Sequence, residues 1–486
     1  MRNSAADQGG WLGWTLAWVG AITALRVLLL AFNRTDLFVD ESQYWLWGQH
    51  FAFGYYSKPP LIGWLIGATT WVVGSDAPFA VRLPAPLLTG IAALLVAAVA
   101  ARLFGARAGR LAGIGYATLP MAAISSLLIY PDTVMLPLLA GALLVYLRVL
   151  ERPSRVGPAL LCGLLLGLAF MAKYAAIYYL LCAPLAALLL PAARPAGRDV
   201  LAILGMALLV IAPNIWWNIV NGAPTLAHTM DNAEWVRDPG ARAELEWLNL
   251  ASFLVQQAAF VGPVVFGALA GAALRWRRQG EPGRLMLLFA WPIVALICLQ
   301  ALLNEAYVNW AAAAYLAGSA LVFAALAGHP RWLSLSFVLN GAFCLVLPLA
   351  TIWADTLSVD GRTRLLGRYT GQAEMSRTLI EAARQAGIST IVAGDRHLLA
   401  DLFYTGRDSG LVFRSAPPPG RPMNHYQMSY PLTPADPSPA LYATPVEGTP
   451  CPEAARPLGE IRPEAGIYRG RRFRLSLVPS DCWARQ

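Results

Sequence analysis

Residues 39–65 read V-D-E-S-Q-Y-W-L-W-G-Q-H-F-A-F-G-Y-Y-S-K-P-P-L-I-G-W-L, an acidic pair and a lysine in an aromatic-rich loop. On either side lie apolar runs, near 11–32 and 82–104, each about the twenty residues needed to cross a hydrocarbon core of about 30 Å. The chain has 486 residues, 57% of them hydrophobic and only 13% charged, so Asp40, Glu41 and Lys58 beside a span are costly placements that need a reason. Of 37 basic residues only Lys58 and Lys173 are lysines. Lysine is a compact, movable point charge suited to a phosphate, whereas arginine is a planar fork.

Moving outward from this loop, the spacing predicts a polytopic membrane bundle of eleven spans, near 11–32, 82–104, 110–129, 132–150, 158–172, 174–191, 199–217, 248–274, 284–303, 307–327 and 332–353. With the N-terminus cytoplasmic, 14 arginines fall on inner loops against six basic residues outside, and 11 of the 15 acids before residue 354 fall outside. Both asymmetries give one orientation and place the segment from 354 on the outer face. The net charge of +9 is then a topology signal and no indication of nucleic acid. The N-terminal run lacks a short apolar core followed by a small-residue cleavage site, so 11–32 reads as a retained span.

Two domains are expected: a transmembrane catalytic domain, 1–353, and an extracytoplasmic α/β domain, 354–486. The outer loop 33–81 reads as one or two interfacial helices broken at Lys58-Pro59-Pro60, because Tyr44, Trp45, Trp47, Phe51, Phe53, Tyr55 and Tyr56 are of the types that favour the headgroup zone. A second outer loop, 218–247, is polar. In the tail, 374–386 and 396–404 read as helices, 390–393 and 411–413 as strands, and the proline-rich 416–440 as loop. The intramembrane cysteines read as small apolar residues, while Cys451 and Cys482 stand alone in the tail as a disulfide candidate.

The outer-face ionisable residues suit transfer of a group from a lipid phosphate. Breaking a sugar–phosphate bond leaves charge on the phosphate oxygen, which fixed cations stabilise; Lys58, Lys173, Arg82 and Arg237 are the candidates, with Tyr56 beside them. A carboxylate can take the proton of an attacking hydroxyl, and Asp40, Glu41 and Asp132 are the catalytic candidates. Tyr44, His228, Asn309 and Trp310 are candidates for lining the acceptor pocket. The acids at 40, 41 and 132 also suit helix N-termini, and Lys173 suits a snorkelling span end. Five histidines show no metal spacing; a divalent ion on Asp40, Glu41 and Asp132 stays open, and the sequence signals no further cofactor. The run Gly163-x-x-x-Gly167 is too common to assign.

The loop D-E-S-Q-Y-W-L-W-G-Q-H-F-A-F-G-Y-Y-S-K-P-P-L closely resembles the first periplasmic loop of bacterial family 39-like glycosyltransferases, relatives of protein O-mannosyltransferases and lipid A aminoarabinose transferases. Y-P-D-T at 130–133, G-L-A-F-M-A-K-Y at 167–174, V-N-W-A-A-A-A-Y at 308–315, L-A-D-L-F-Y-T at 399–405 and N-H-Y-Q-M at 424–428 extend the likeness along nearly the whole chain. The resemblance implies a GT-C fold with a polyprenyl-phosphate-linked sugar as donor. It also implies a base or acceptor-orienting role for Asp40 with Glu41 as its partner, a phosphate contact for Lys58, and a second membrane-edge acid in Asp132. In aminoarabinose transferases an acid commonly precedes Lys-Pro-Pro and a basic residue follows the acidic pair; Ser57 and Ser42-Gln43 depart from that pattern, which argues against aminoarabinose as the sugar.

The expectation is a bacterial inner-membrane inverting glycosyltransferase, hexosyl or pentosyl, acting on an envelope lipid or glycan. Protein O-mannosylation is the alternative within that class. A lipid-linked substrate transporter is the alternative outside it, and would place charges near the midplane and repeat its halves. Arg26 is the only clearly mid-span charge, and no repeat is visible.

Overall fold

Proline sets where many of the apolar runs become helices, because in the first turn it forfeits no hydrogen bond and its φ is already helical. Pro84–Phe104, Pro120–Leu127, Pro131–Glu151, Pro263–Leu274 and Pro330–Ile352 all begin this way. The structure, a computed structural model, describes residues 5–151, 153, 155–231, 245–359, 364–445 and 451–485.

Each of the eleven predicted spans is largely helical, but they differ in build. By length and composition, six stretches among the described residues are apolar enough to cross a membrane: Trp11–Leu30, Pro78–Phe104, Pro131–Glu151, Gly197–Val220, Glu281–Leu303 and Pro330–Ile352. Shorter apolar helices fill in between, among them Val156–Ala172, Tyr174–Leu189 and Ala314–Leu326. Two expected spans are corrected. The run 110–129 is two helices, Ala106–Thr118 and Pro120–Leu127, broken where Leu119 is extended before Pro120. The run 248–274 bends by 114° between Trp247–Val261 and Pro263–Leu274. Gly262 at that bend has φ +88, and a Cβ there would stand 2.1 Å from the Asn340 side chain, so only glycine fits.

The contacts divide the chain into two units, and the division differs from a single cut at residue 353. One unit holds residues to 31, 58–62 and 82–348; the other holds 32–57, 63–81 and the chain from 349 onward.

Within the first unit, close helix packing rests on small residues. A Cβ on Gly163 would meet the Ile203 carbonyl oxygen at 2.4 Å, and one on Gly167 that of Ala207 at 3.0 Å, so the unassigned G-x-x-x-G run is the seam between Val156–Ala172 and Gly197–Val220. Arg26 is buried and donates to the Ala117 carbonyl oxygen at 2.6 Å and to Cys344 Sγ at 3.1 Å. Ala117 lies in the last turn of Ala106–Thr118, where carbonyls have no helical partner, so the mid-span charge closes a helix end.

The second unit contains a five-stranded sheet of β1 (Thr390–Ala393), β2 (Val412–Ser415), β3 (Ala440–Thr444), β4 (Arg456–Ile461) and β5 (Phe473–Val478), in the order β2-β1-β3-β5-β4. The pairs β1–β2 and β1–β3 are parallel, β3–β5 and β4–β5 antiparallel. Helices Gln372–Gln385 and Arg396–Thr405 flank β1, which gives the expected α/β order. The loop expected over 416–440 holds a short helix, His425–Ser429. Cys451 and Cys482 are joined, and Cys482 packs with Val392, Leu432, Ala440 and Val478.

The outer-loop segment forms two helices, Val39–Gln49 and Leu61–Val73. The first ends at Gln49, nine residues before Lys58, so the Pro-Pro pair opens the second helix instead of breaking the first. The two helices cross at glycines: a Cβ on Gly67 would stand 2.5 Å from the Gly48 carbonyl oxygen. The aromatic residues do not all face headgroups. Tyr44, Trp45, Trp47, Tyr55 and Tyr56 are buried in protein, while Phe51 and Phe53 are exposed at 71% and 43%.

Candidate active site

Asp40 opens the helix Val39–Gln49, where a carboxylate is favoured by the backbone N–H groups. The neighbouring Glu41 is fully buried; its Oε2 accepts from the Phe38 N–H at 2.9 Å and so turns back to close the helix start. That leaves Asp40 facing the tail. There the N-cap Asp395 accepts from the His397 and Leu398 N–H groups and starts a helix directly after β1, setting Arg396 at its first position. Arg396 Nη2 donates to Asp40 Oδ1, and its Nε donates to Gln43 Oε1 at 3.1 Å. Gln43 in turn donates from Nε2 to Ser57 Oγ at 3.4 Å. The two positions at which the loop departs from the aminoarabinose pattern therefore meet in one patch with a guanidinium from the tail. Burial pulls the Arg396 pKa down, and the Asp40 carboxylate outweighs it, so the guanidinium is held above its ordinary value.

Further contacts join the outer loop to the tail. The N-cap of Gln372–Gln385 is Gly371, which has no side chain to offer; Asp36 supplies the missing acceptor, taking the Gln372 N–H at 2.9 Å and the Ala373 N–H at 3.4 Å. Burial raises the Asp36 carboxyl. Burial also pushes the Asp401 carboxyl up to about 6, and neither of its oxygens has a hydrogen-bond partner among the described residues. His425 stands edge-on to Trp47 at 5.7 Å, and burial, with His50 and Arg396 adding, pushes its imidazole down to about 3. Trp47 stacks on Tyr55 at 4.7 Å, and the Tyr55 hydroxyl lies 2.7 Å from the Trp47 and His50 carbonyl oxygens at the helix end. The buried Tyr56 hydroxyl donates to the Pro422 carbonyl at 3.3 Å, and the Tyr44 ring lies 5.1 Å from Trp47.

The first unit carries a second polar cluster. Asp132 stands in the first turn of Pro131–Glu151, and Lys173 caps Val156–Ala172 where the chain turns extended. Lys173 Nζ lies 2.8 Å from both Asp132 oxygens, and Asn309 Nδ2 donates to Asp132 Oδ2 at 2.8 Å. Only 16% and 7% of the lysine and aspartate side chains are exposed. Lys173 is thus closed onto a carboxylate and does not snorkel. Beside it the Tyr174 hydroxyl donates to Asn214 Oδ1 at 2.7 Å and accepts from Asn218 Nδ2 at 3.2 Å. Trp310 packs edge-on against Tyr307 at 5.4 Å. Arg82 is fully buried, Lys58 is half-buried, and His228 sits in the helix Pro224–Asp231. Arg237 lies outside the described residues. Among the described residues no group of three or more His, Cys, Asp or Glu side chains is gathered to hold a metal ion.

Sequence reasoning missed Arg396, one of 35 arginines and 356 residues from its partner. The only local signal was its place behind an N-capping aspartate after a strand.

Residues 57–217 match the family described as dolichyl-phosphate-mannose-protein mannosyltransferase. The chain is 39% identical over 469 residues to the lipid A galacturonosyltransferase RgtD of Rhizobium johnstonii, covering 95% of this chain and 97% of that protein. The fold matches the crystal structure of ArnT from Cupriavidus metallidurans bound to undecaprenyl phosphate, with TM-score 0.64, 14% identity, and coverage of 96% of this chain and 98% of that one. The same protein in its apo state matches with TM-score 0.59 and 12% identity. A GT-C architecture, several apolar helices with a small C-terminal sheet, is therefore present along nearly the whole chain, and 39% identity along nearly the full length of a sugar transferase makes it an enzyme rather than a transporter. The chain belongs to the bacterial GT-C glycosyltransferases, in the family of the lipid A galacturonosyltransferase RgtD.

Proposed function

We propose that this enzyme transfers a galacturonate-type sugar from a polyprenyl phosphate to lipid A or a closely related envelope lipid, on the outer face of the bacterial inner membrane. The observation that carries the reading is the 39% identity to RgtD along 97% of that protein's length. The polyprenyl donor rests on the ArnT-like fold, whose matched structure holds undecaprenyl phosphate. The orientation rests on the charge asymmetry of the loops, which puts Asp40, Lys58, Asp132 and the tail outside.

The acceptor oxygen attacks the anomeric carbon from the side opposite the phosphate, so configuration inverts. The bond between that carbon and the phosphate oxygen breaks, and its electron pair stays on the phosphate. Lys58 and Arg82 supply the positive charge that stabilises the phosphate oxygen as it forms. Asp40 takes the proton of an attacking hydroxyl, a step that such a positioned carboxylate accelerates by about 10²–10⁴. Asp132, Lys173 and Asn309 tie together the start of Pro131–Glu151, the end of Val156–Ala172 and the turn Val308–Ala311. The test is transfer by the purified full-length chain in vesicles, with polyprenyl-phosphate galacturonate and lipid A. A lipid A product heavier by one uronate residue supports the reading; a chain that glycosylates only protein under the same conditions overturns the acceptor assignment.

A further inference from the structure

Arg396 carries more donors than its protein partners use. A guanidinium has five N–H groups in a fixed fork. Its Nε goes to Gln43 and one Nη2 hydrogen to Asp40, while Nη1 has no protein partner among the described residues. The end-on edge, Nη1 with the second Nη2 hydrogen, is the geometry that takes a carboxylate bidentately. About a third of the Arg396 side chain is exposed, and Nη1 is not among the buried polar atoms that lack a partner, so it is open to solvent. The surrounding side chains add little competing negative charge: Gln43 and Ser57 are neutral, His425 is neutral, and Asp395 faces Arg471 at 3.8 Å. A cation reachable from one edge, held at the proposed base and flanked by neutral hydrogen-bonding groups, is arranged to receive an anion.

Resting on the reading of the enzyme as a uronate transferase, we infer that Arg396 is the specificity-determining residue of the donor site, binding the C-6 carboxylate of an acidic sugar. The second carboxylate shares the guanidinium with Asp40. It weakens the hold of Arg396 on Asp40 and adds a like charge nearby, and both raise the proton affinity of Asp40, the direction a general base requires. An acidic sugar thus completes the base, and a neutral one leaves Asp40 closed onto Arg396.

The experiment compares polyprenyl-phosphate galacturonate with polyprenyl-phosphate galactose, which differ only in a carboxylate against a hydroxymethyl group, on the purified full-length chain. Arg396→Gln is expected to lower the kcat/KM ratio of galacturonate to galactose by roughly 10- to 100-fold, the size of one charged hydrogen-bond pair. Gln43→Glu keeps the shape of the buried side chain and occupies the guanidinium with a second protein carboxylate. It is expected to lower the same ratio, so the test does not depend on the arginine variant folding. An equal fall for both donors in the two variants would show that Arg396 acts only through Asp40 and would overturn the inference while leaving the uronate reading intact. A wild-type enzyme that uses galactose and not galacturonate would overturn both.

Discussion

Arg396 and Asp40 are 356 residues apart in sequence and share one ion pair, with Gln43 on the same guanidinium. The tail is therefore part of the candidate chemistry. The carboxylate proposed as base is oriented by a residue that no reading of the loop alone would include.

The Asp132–Lys173 pair is expected to behave as a buried bridge. Removing one partner from such a pair leaves an uncompensated charge and costs about 3–5 kcal/mol. Lys173→Met is therefore predicted to lower the thermal midpoint of the detergent-solubilised protein sharply, and Lys173→Met with Asp132→Asn to recover much of the loss. Equal losses in the single and double variants would mean that the two groups do not depend on each other.

Stability should depend on pH through two tail residues acting in opposite directions. Asp401 has its pKa raised from the ordinary 3.8 to about 6, so its contribution is fully present below about pH 4 and is lost as pH rises through about 6. The shift corresponds to about 3 kcal/mol, as an order of magnitude. His425 is lowered from 6.5 to about 3, so its contribution is present above about pH 6.5 and declines as pH falls toward 3. Asp401→Asn should therefore stabilise the protein relative to wild type above pH 6 and make little difference near pH 4. His425→Gln should flatten the acid side. Unfolding midpoints measured from pH 4 to 8 check both, and an Asp401→Asn profile parallel to wild type would contradict the first.

Gly67→Ala should separate the two loop helices. The added Cβ would stand 2.5 Å from the Gly48 carbonyl oxygen, a backbone atom that cannot swing aside. Overpacking of this kind costs about 1–3 kcal/mol. The expected result is normal membrane insertion with transfer reduced at least several-fold, measured on the same vesicle assay; unchanged transfer would show that the crossing can relax.

The periodic and continuous signals were legible. Twenty-residue apolar runs marked the helices, and the helix–strand–helix order of 372–405 followed from its spacing. What depended on distant partners was not. Strand β4, R-P-L-G-E-I, carries a proline and a glycine and is almost wholly exposed, so no alternation announced it as an edge strand. Trp45 and Trp47 have the chemistry of interfacial anchors, yet they are buried against Tyr404 and His425, which lie more than 300 positions on. The acids at 40 and 41 were placed correctly at a helix start, but only packing separated the one that closes the helix from the one that meets Arg396.

The most direct test of the account is the lipid A of cells lacking the gene, complemented by wild type or by Asp40→Asn and analysed by mass spectrometry. Both side chains of the Asp40–Arg396 pair are about one-third exposed, so the substitution should cost about 1 kcal/mol or less and leave the protein in the membrane. A uronate-bearing lipid A should disappear with the gene, return with wild type, and stay absent or fall at least about 100-fold with Asp40→Asn. Full restoration by Asp40→Asn at equal protein level would contradict the assignment of the base, and lipid A unchanged by loss of the gene would contradict the proposed reaction.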